Sequence, residues 1–164
     1  NRWIIVTDSE LKNEIAKAYR SVGLPYLQAN QGVRADSRTA RVIDSSIYLI
    51  ENMHKVPAMV IPLRLDRPPV REDEAGSVAG YFGSVLPSVW SFQLAARARG
   101  LGSAWTTFHL AHEETIAKLL GIPNSVTQCA LLPVAFYIGD SFSPAPRKKA
   151  AEITYLNQWK HSLL

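Results

Sequence analysis

The chain has 164 residues, 47% of them apolar, enough to bury one core of ordinary domain size. A charged fraction of 20%, with aromatic residues spread along the chain, does not suit intrinsic disorder, and no apolar run reaches the roughly 18 to 20 residues of a membrane span. The net charge of +4 is scattered: only Arg147, Lys148 and Lys149 stand side by side, too short a run for a nucleic-acid-binding arm. The single cysteine, Cys129, forms no internal disulfide and sits in an apolar run where burial explains it. We expect one domain over residues 1–164, in the cytoplasm, with no membrane or nucleic-acid partner.

The residues Arg2-Trp3-Ile4-Ile5-Val6-Thr7 read as a buried strand beginning immediately after Asn1, a poor place for a natural domain to start, so further sequence is expected upstream. Thr7 followed by Glu10 has the spacing of a capping box and predicts a helix. Leu11, Ile15, Tyr19 and Val22 fall on one face of it, Gly23 ends it before Pro25, and Tyr26 to Gly32 is loop. A second helix is expected from about Arg34 to Met53, with Ile43, Ile47 and Ile50 on its apolar face. Val56 to Leu65 is a strand only if Pro57 and Pro62 sit where no ladder hydrogen bond is required. The proline-rich, charged segment from Asp66 to Gly83 reads as a long surface loop.

Pro87 suits the first turn of a third helix running to Arg99, whose small residues Ala95, Ala96 and Ala98 suggest packing on several sides. Ala104 to Phe108 alternates like a short strand, Glu113 to Leu120 is a short helix closed by Gly121 and Pro123, and Gln128 to Ile138 is a buried strand. The order of elements is α+β. Prolines and serines interrupt regular structure from Ser141 to Pro146, and the tail Ile153 to Trp159 is apolar enough to need a surface, on its own domain or on a partner.

Few constellations carry chemistry. Gly100-Leu101-Gly102 is not a dinucleotide fingerprint, because a helix precedes it and a strand follows; it reads as a helix-to-strand turn. His109 and His112 are three residues apart, not the four that point two imidazoles at one ion, so no metal site is expected there. No Gly-x-Ser-x-Gly elbow and no Cys–His pair supports a hydrolase.

A series of motifs nonetheless occurs in order. A small-residue helix ends in Gly100-Leu101-Gly102, Ser103-Ala104-Trp105-Thr106-Thr107-Phe108 follows, then the turn Leu120-Gly121-Ile122-Pro123, an apolar strand ending near Ile138-Gly139, and Arg147 flanked by prolines. Together with the opening Trp3-Ile4-Ile5-Val6-Thr7-Asp8, this resembles the nitroreductase family over nearly the whole chain. The resemblance implies a mostly antiparallel central sheet flanked by helices, with residues 150–164 as a C-terminal extension that wraps the partner subunit. It implies FMN bound noncovalently at a homodimer interface, with NADH or NADPH as donor and a nitroaromatic, quinone or similar small molecule as acceptor. By the same resemblance Trp105, Thr106 and Thr107 lie against the isoalloxazine and Arg147 holds the FMN phosphate. The cofactor carries the chemistry, so no catalytic acid or base is expected from the chain. The family's N-terminal basic-and-serine segment and its following Pro, Ser and Asn positions have no counterpart here. The alternatives are a dehalogenating or cofactor-biosynthetic enzyme of the same fold, and a noncatalytic flavin-binding protein.

Overall fold

The computed structural model describes residues 1–30, 37–69, 75–139, 142 and 144–162. Five strands form one antiparallel sheet: β1 (Arg2–Val6), β2 (Ala58–Arg64), β3 (Leu101–Ser103), β4 (Thr127–Gln128) and β5 (Leu132–Phe136). The strand order is β1-β2-β5-β3, with β4 also paired to β2. The helices are α1 (Ser9–Ala29), α2 (Ser37–Asn52), α3 (Ala75–Gly83), α4 (Leu86–Arg97) and α5 (Glu113–Leu120), with short 3-10 turns at Met53–Lys55, Phe108–His112 and Ala150–Glu152. This is the α+β arrangement expected from the sequence. Among the described residues no helix is long and apolar enough to cross a membrane.

Strand β2 organises the packing. Met59, Ile61 and Leu63 point to one face and join Ile15, Tyr19, Ile50, Met53 and Ile116 in a core beneath α1, α2 and α5. Val60 points to the other face and joins Val85, Val89, Leu132 and Val134 in a second core beside α4. A strand covered on both faces reads as a continuous apolar run, as 58–63 does. Pro62 is tolerated because of a local break in pairing. Its carbonyl accepts the Cys129 N–H at 2.9 Å, so its nitrogen faces the same side. There β2 steps three residues, from Leu63 to Val60, while the opposite chain steps four, from Gln128 to Leu132. That extra residue is a bulge, and it removes the demand for the donor that proline lacks. The expected strand Gln128 to Ile138 is therefore two strands joined by this bulge, and it ends at Phe136.

Helix α1 corrects two expectations. Its N-cap is Asp8 rather than Thr7: the carboxylate accepts the N–H groups of Glu10 and Leu11 at 3.0 and 2.9 Å, and its charge suits the helix N-terminus. The helix also continues through Gly23 and Pro25 to Ala29. Gly23 is there for proximity, since a Cβ at that position would lie 2.6 Å from Phe108 Cδ2 and 2.9 Å from Ile50 Cδ1. The Phe108 ring is also held by edge or tilted contacts with Tyr19 and Tyr26, which flank Gly23 on α1, at centroid separations of 5.3 and 5.5 Å. The packing of Tyr26 and Leu27 outweighs the loss of one hydrogen bond at Pro25.

Elsewhere, α2 buries Ile43 and Ile50 as expected, while its anticipated start near Arg34 lies outside the described residues. The segment Asp66–Gly83 is not all loop: Ala75–Gly83 is helical, and Tyr81, 6% exposed, donates to the Asp66 carbonyl at 2.8 Å. Tertiary packing overrides the weak helix propensity of its glycines. Residues 70–74 of that segment lie outside the description. Within one chain, helix α4 is packed on one side only. Val89 and Ala96 face inward, whereas Leu86, Trp90 and Leu94 are 44, 65 and 54% exposed. Helix α5 ends as read, with Gly121 at φ +66°. The tail residues 144–162 are exposed throughout.

Two outcomes follow. Gly23→Ala should lower stability by about 1–2 kcal/mol, because overpacking against a fixed ring outweighs the gain in helix propensity. Gly80→Ala on α3, where nothing lies within 4 Å, should raise it by about 0.5–1 kcal/mol; urea unfolding of both variants checks the pair. His109 is 0% exposed, both its ring nitrogens are unpartnered, and burial lowers its pKa from 6.5 to about 4. The unfolded chain then binds the proton more tightly than the folded one, so stability is full above pH 6.5 and falls as pH drops toward 4. Between pH 7 and 5 the wild type should lose about 2 kcal/mol more than His109→Leu, measured by urea unfolding at each pH.

Candidate functional site

The segment that follows β3 carries the site. Gly100, at φ +79°, turns α4 into β3, and the chain then runs outside regular structure from Ala104 to the 3-10 turn at Phe108. This stretch is not the strand the sequence suggested. Only Thr106 is bridged, to Leu131: its N–H donates to the Leu131 carbonyl at 3.2 Å, and the Leu131 N–H donates back at 2.9 Å. The Thr106 hydroxyl donates to the same carbonyl at 2.6 Å and is buried. Trp105 and Thr107 are exposed, and Thr106 between them is buried.

A cavity of about 260 Å³ opens against this stretch. Trp105, Thr106, Thr107 and Phe108 form one wall; Tyr19 and Leu27 of α1 with Ser46 and Leu49 of α2 form the other. A second cavity of about 240 Å³ shares Leu49 and Ala104 with it and continues over Ser103, Ala135 and Tyr137. Among the described residues no charged side chain lines either one. Burial pushes the Tyr19 phenol above its ordinary value of 10, an effect the nearby Thr106 hydroxyl partly offsets.

Of the four residues singled out from the sequence, Trp105, Thr106 and Thr107 come together on this wall. Arg147 does not join them; it lies exposed in the extended segment 144–149. Sequence reasoning missed Tyr19, Leu27, Ser46 and Leu49, and only Tyr19 carried a signal, read as a core position on the apolar stripe of α1. Beside the second cavity, Arg97 stacks over the Tyr137 and Phe142 rings at 4.4 and 4.9 Å and donates to the Tyr137 hydroxyl. His112 Nε2 meets Ser21 Oγ at 2.9 Å, fastening α1 to the 3-10 turn that begins at Phe108.

An uncharged, aromatic-walled trough suits the face of a flat heterocycle, and the outward Trp105 indole and Thr107 hydroxyl supply hydrogen-bonding groups at its edge. An isoalloxazine fits that donor set.

Solved structures with the same fold include a BluB-like flavoprotein from Clostridium difficile 630, at TM-score 0.60 and 17% identity, covering 96% of this chain and 79% of that one. An iodotyrosine deiodinase bound to FMN and 3-iodo-L-tyrosine aligns at TM-score 0.60 and 21% identity, covering 96% and 76%. The NADPH:FMN oxidoreductase from Vibrio harveyi complexed with NAD+ aligns at TM-score 0.59 and 16% identity, covering 98% of this chain but 60% of that protein. No protein of curated function matches the chain by sequence. At these identities the structures establish the fold alone, but the family model for the nitroreductase family matches residues 1–138, from β1 through the cavity wall to the end of β5. The chain belongs to the nitroreductase family.

Proposed function

We propose that this protein is an FMN-dependent oxidoreductase, working as a homodimer in the cytoplasm, with residues 1–164 as one domain and 150–164 as an extension over the partner subunit. The observation that carries the reading is the aromatic-walled cavity lined by Trp105 to Phe108. When bound, FMN supplies the redox chemistry, accepting a hydride from NADH or NADPH and passing electrons to a nitroaromatic, quinone or similar acceptor in a ping-pong cycle. The chain's residues bind and orient. Trp105 offers an aromatic surface and an indole N–H, Thr107 a hydroxyl, and Thr106 an anchored backbone between them. Arg147 holds the phosphate: an always-protonated fork suits a dianion, and an exposed, extended segment leaves it free to reach one.

The dimer reading is supported by apolar surface that this chain leaves open. Leu86, Trp90 and Leu94 recur every four residues on α4, Ile5 is 65% exposed on β1, and Ile153 and Trp159 of the tail are 61 and 79% exposed. Exposed apolar surface of this extent marks an interaction site.

FMN titrated into the purified protein should lose its fluorescence on binding. Arg147→Ala should weaken FMN by about ten- to two-hundredfold, the loss of a charge-assisted hydrogen bond, toward the lower end because Lys148 and Lys149 retain attraction. Riboflavin, which lacks the phosphate, should bind both proteins equally; equal FMN affinity would return Arg147 to the class of solvated charges. Light scattering should report two chains per particle at micromolar concentration, and Trp90→Glu should give one, because an uncompensated charge at a buried contact costs several kcal/mol.

A further inference from the structure

The second cavity is apolar, and a cation stands at its side. Helix α4 ends at Arg97, Gly100 turns the chain into β3, and β3 pairs with β5, so the last turn of the helix comes to lie against Tyr137, the residue that follows β5. Arg97 packs over the Tyr137 ring at 4.4 Å and the Phe142 ring at 4.9 Å, and one of its terminal nitrogens donates to the Tyr137 hydroxyl. Stacking occupies the face of a guanidinium, whereas its N–H groups lie in its plane, so the stack leaves in-plane donors for an acceptor. An arginine already held by two rings also loses less freedom when it takes a ligand. Tyr137 belongs to the lining of the cavity, together with Leu49, Val56, Pro133 and Ala135. These side chains accept hydrocarbon. At about 240 Å³ the cavity is smaller than pockets for drug-sized ligands and suits a single ring.

We propose that the second cavity is a subsite for a small aromatic carboxylic acid, whose ring lies on the apolar lining while its carboxylate meets Arg97 beside Tyr137. A planar carboxylate matches the guanidinium fork with two parallel hydrogen bonds, and joined directly to a ring it places both halves of the site on one small ligand. The cavity shares Leu49 and Ala104 with the one assigned to the isoalloxazine, so an acid held here lies next to the flavin, where an electron acceptor is required. That use rests on the flavin reading above; the binding of the acid does not.

Benzoate and its neutral isostere benzamide separate the two halves of the site. In calorimetric titration of the purified protein at low salt, benzoate should bind about three- to tenfold more tightly than benzamide, the discrimination expected of one well-oriented ion pair open to solvent on one side. Arg97→Gln should bring benzoate down to the affinity of benzamide. Ala135→Leu, which fills the cavity from β5 and leaves the cation in place, should weaken both ligands alike. Absent or equal binding of the two by the wild type, a benzoate preference that survives Arg97→Gln, or full benzoate binding in Ala135→Leu would overturn the subsite. FMN titrated separately keeps the two readings apart. A protein that binds FMN and shows no benzoate preference loses the subsite and keeps the flavin; one that shows the preference and takes up no FMN keeps the subsite and loses its place beside a flavin.

Discussion

The rest of the structure depends on how closely α1 approaches the turn at Phe108. At Gly23 the gap admits a hydrogen and not a methyl, since a Cβ would sit 2.6 Å from the Phe108 ring. Tyr19, Gly23 and Leu27 are spaced by four along α1, so one stripe of the helix makes three different contacts with one short segment. Tyr19 packs against the edge of the Phe108 ring, Gly23 admits that ring, and Leu27 lines the cavity beside it. Were the helix to stop at Gly23, Leu27 would leave the wall and Tyr26 would lose its contact with Phe108. Passing through Pro25 costs a backbone hydrogen bond, and the gain is a helix long enough to cover the site.

The other side of that segment is fixed by a proline. Pro62 lies in the middle of the sheet, and the bulge between β4 and β5 that accommodates it also lifts Leu131 out of the ladder with β2. Leu131 then spends both of its backbone groups on Thr106. A residue in regular pairing with β2 would have one edge committed and a different neighbour opposite. The irregularity in the strand and the location of the cavity wall are thus one event, which is a common use of bulges beside functional sites.

The parts of the fold legible in the sequence are those where local chemistry and tertiary packing agree. Ile15 and Tyr19 on α1, Ile43 and Ile50 on α2, and Gly121 closing α5 all follow from spacing or from a left-handed turn that glycine serves best. The failures share a cause: glycine and proline were read as punctuation where tertiary contacts set their role. Gly23 makes room for a ring 85 residues away, and the glycines of α3 are carried by the burial of Tyr81; Pro62, by contrast, meets the condition set for it, since the bulge removes the need for its missing donor. Asp8 took the cap from Thr7 because the helix begins one residue later than the box suggested. The order of family motifs singles out Trp105, Thr106 and Thr107, which line the cavity, whereas Leu27, Ser46 and Leu49, which line it too, look in sequence like any helix residues. Which helix face meets a loop distant in sequence is decided by topology alone.

The cavity and the cation assigned to it differ in how firmly they are held. Thr106 is tied by three hydrogen bonds to one residue of the sheet and backed by a helix, so moving it requires opening the core. Arg147 stands exposed in a segment without regular structure, and Arg97, the cation beside the second cavity, is already engaged with Tyr137 and Phe142. On the flavin reading, the ring would meet a wall already fixed to the sheet, while the phosphate would meet a side chain that lies outside that wall. A wall fixed before the ligand arrives needs little reorganisation on binding, so the ring contacts would decide which heterocycle is accepted.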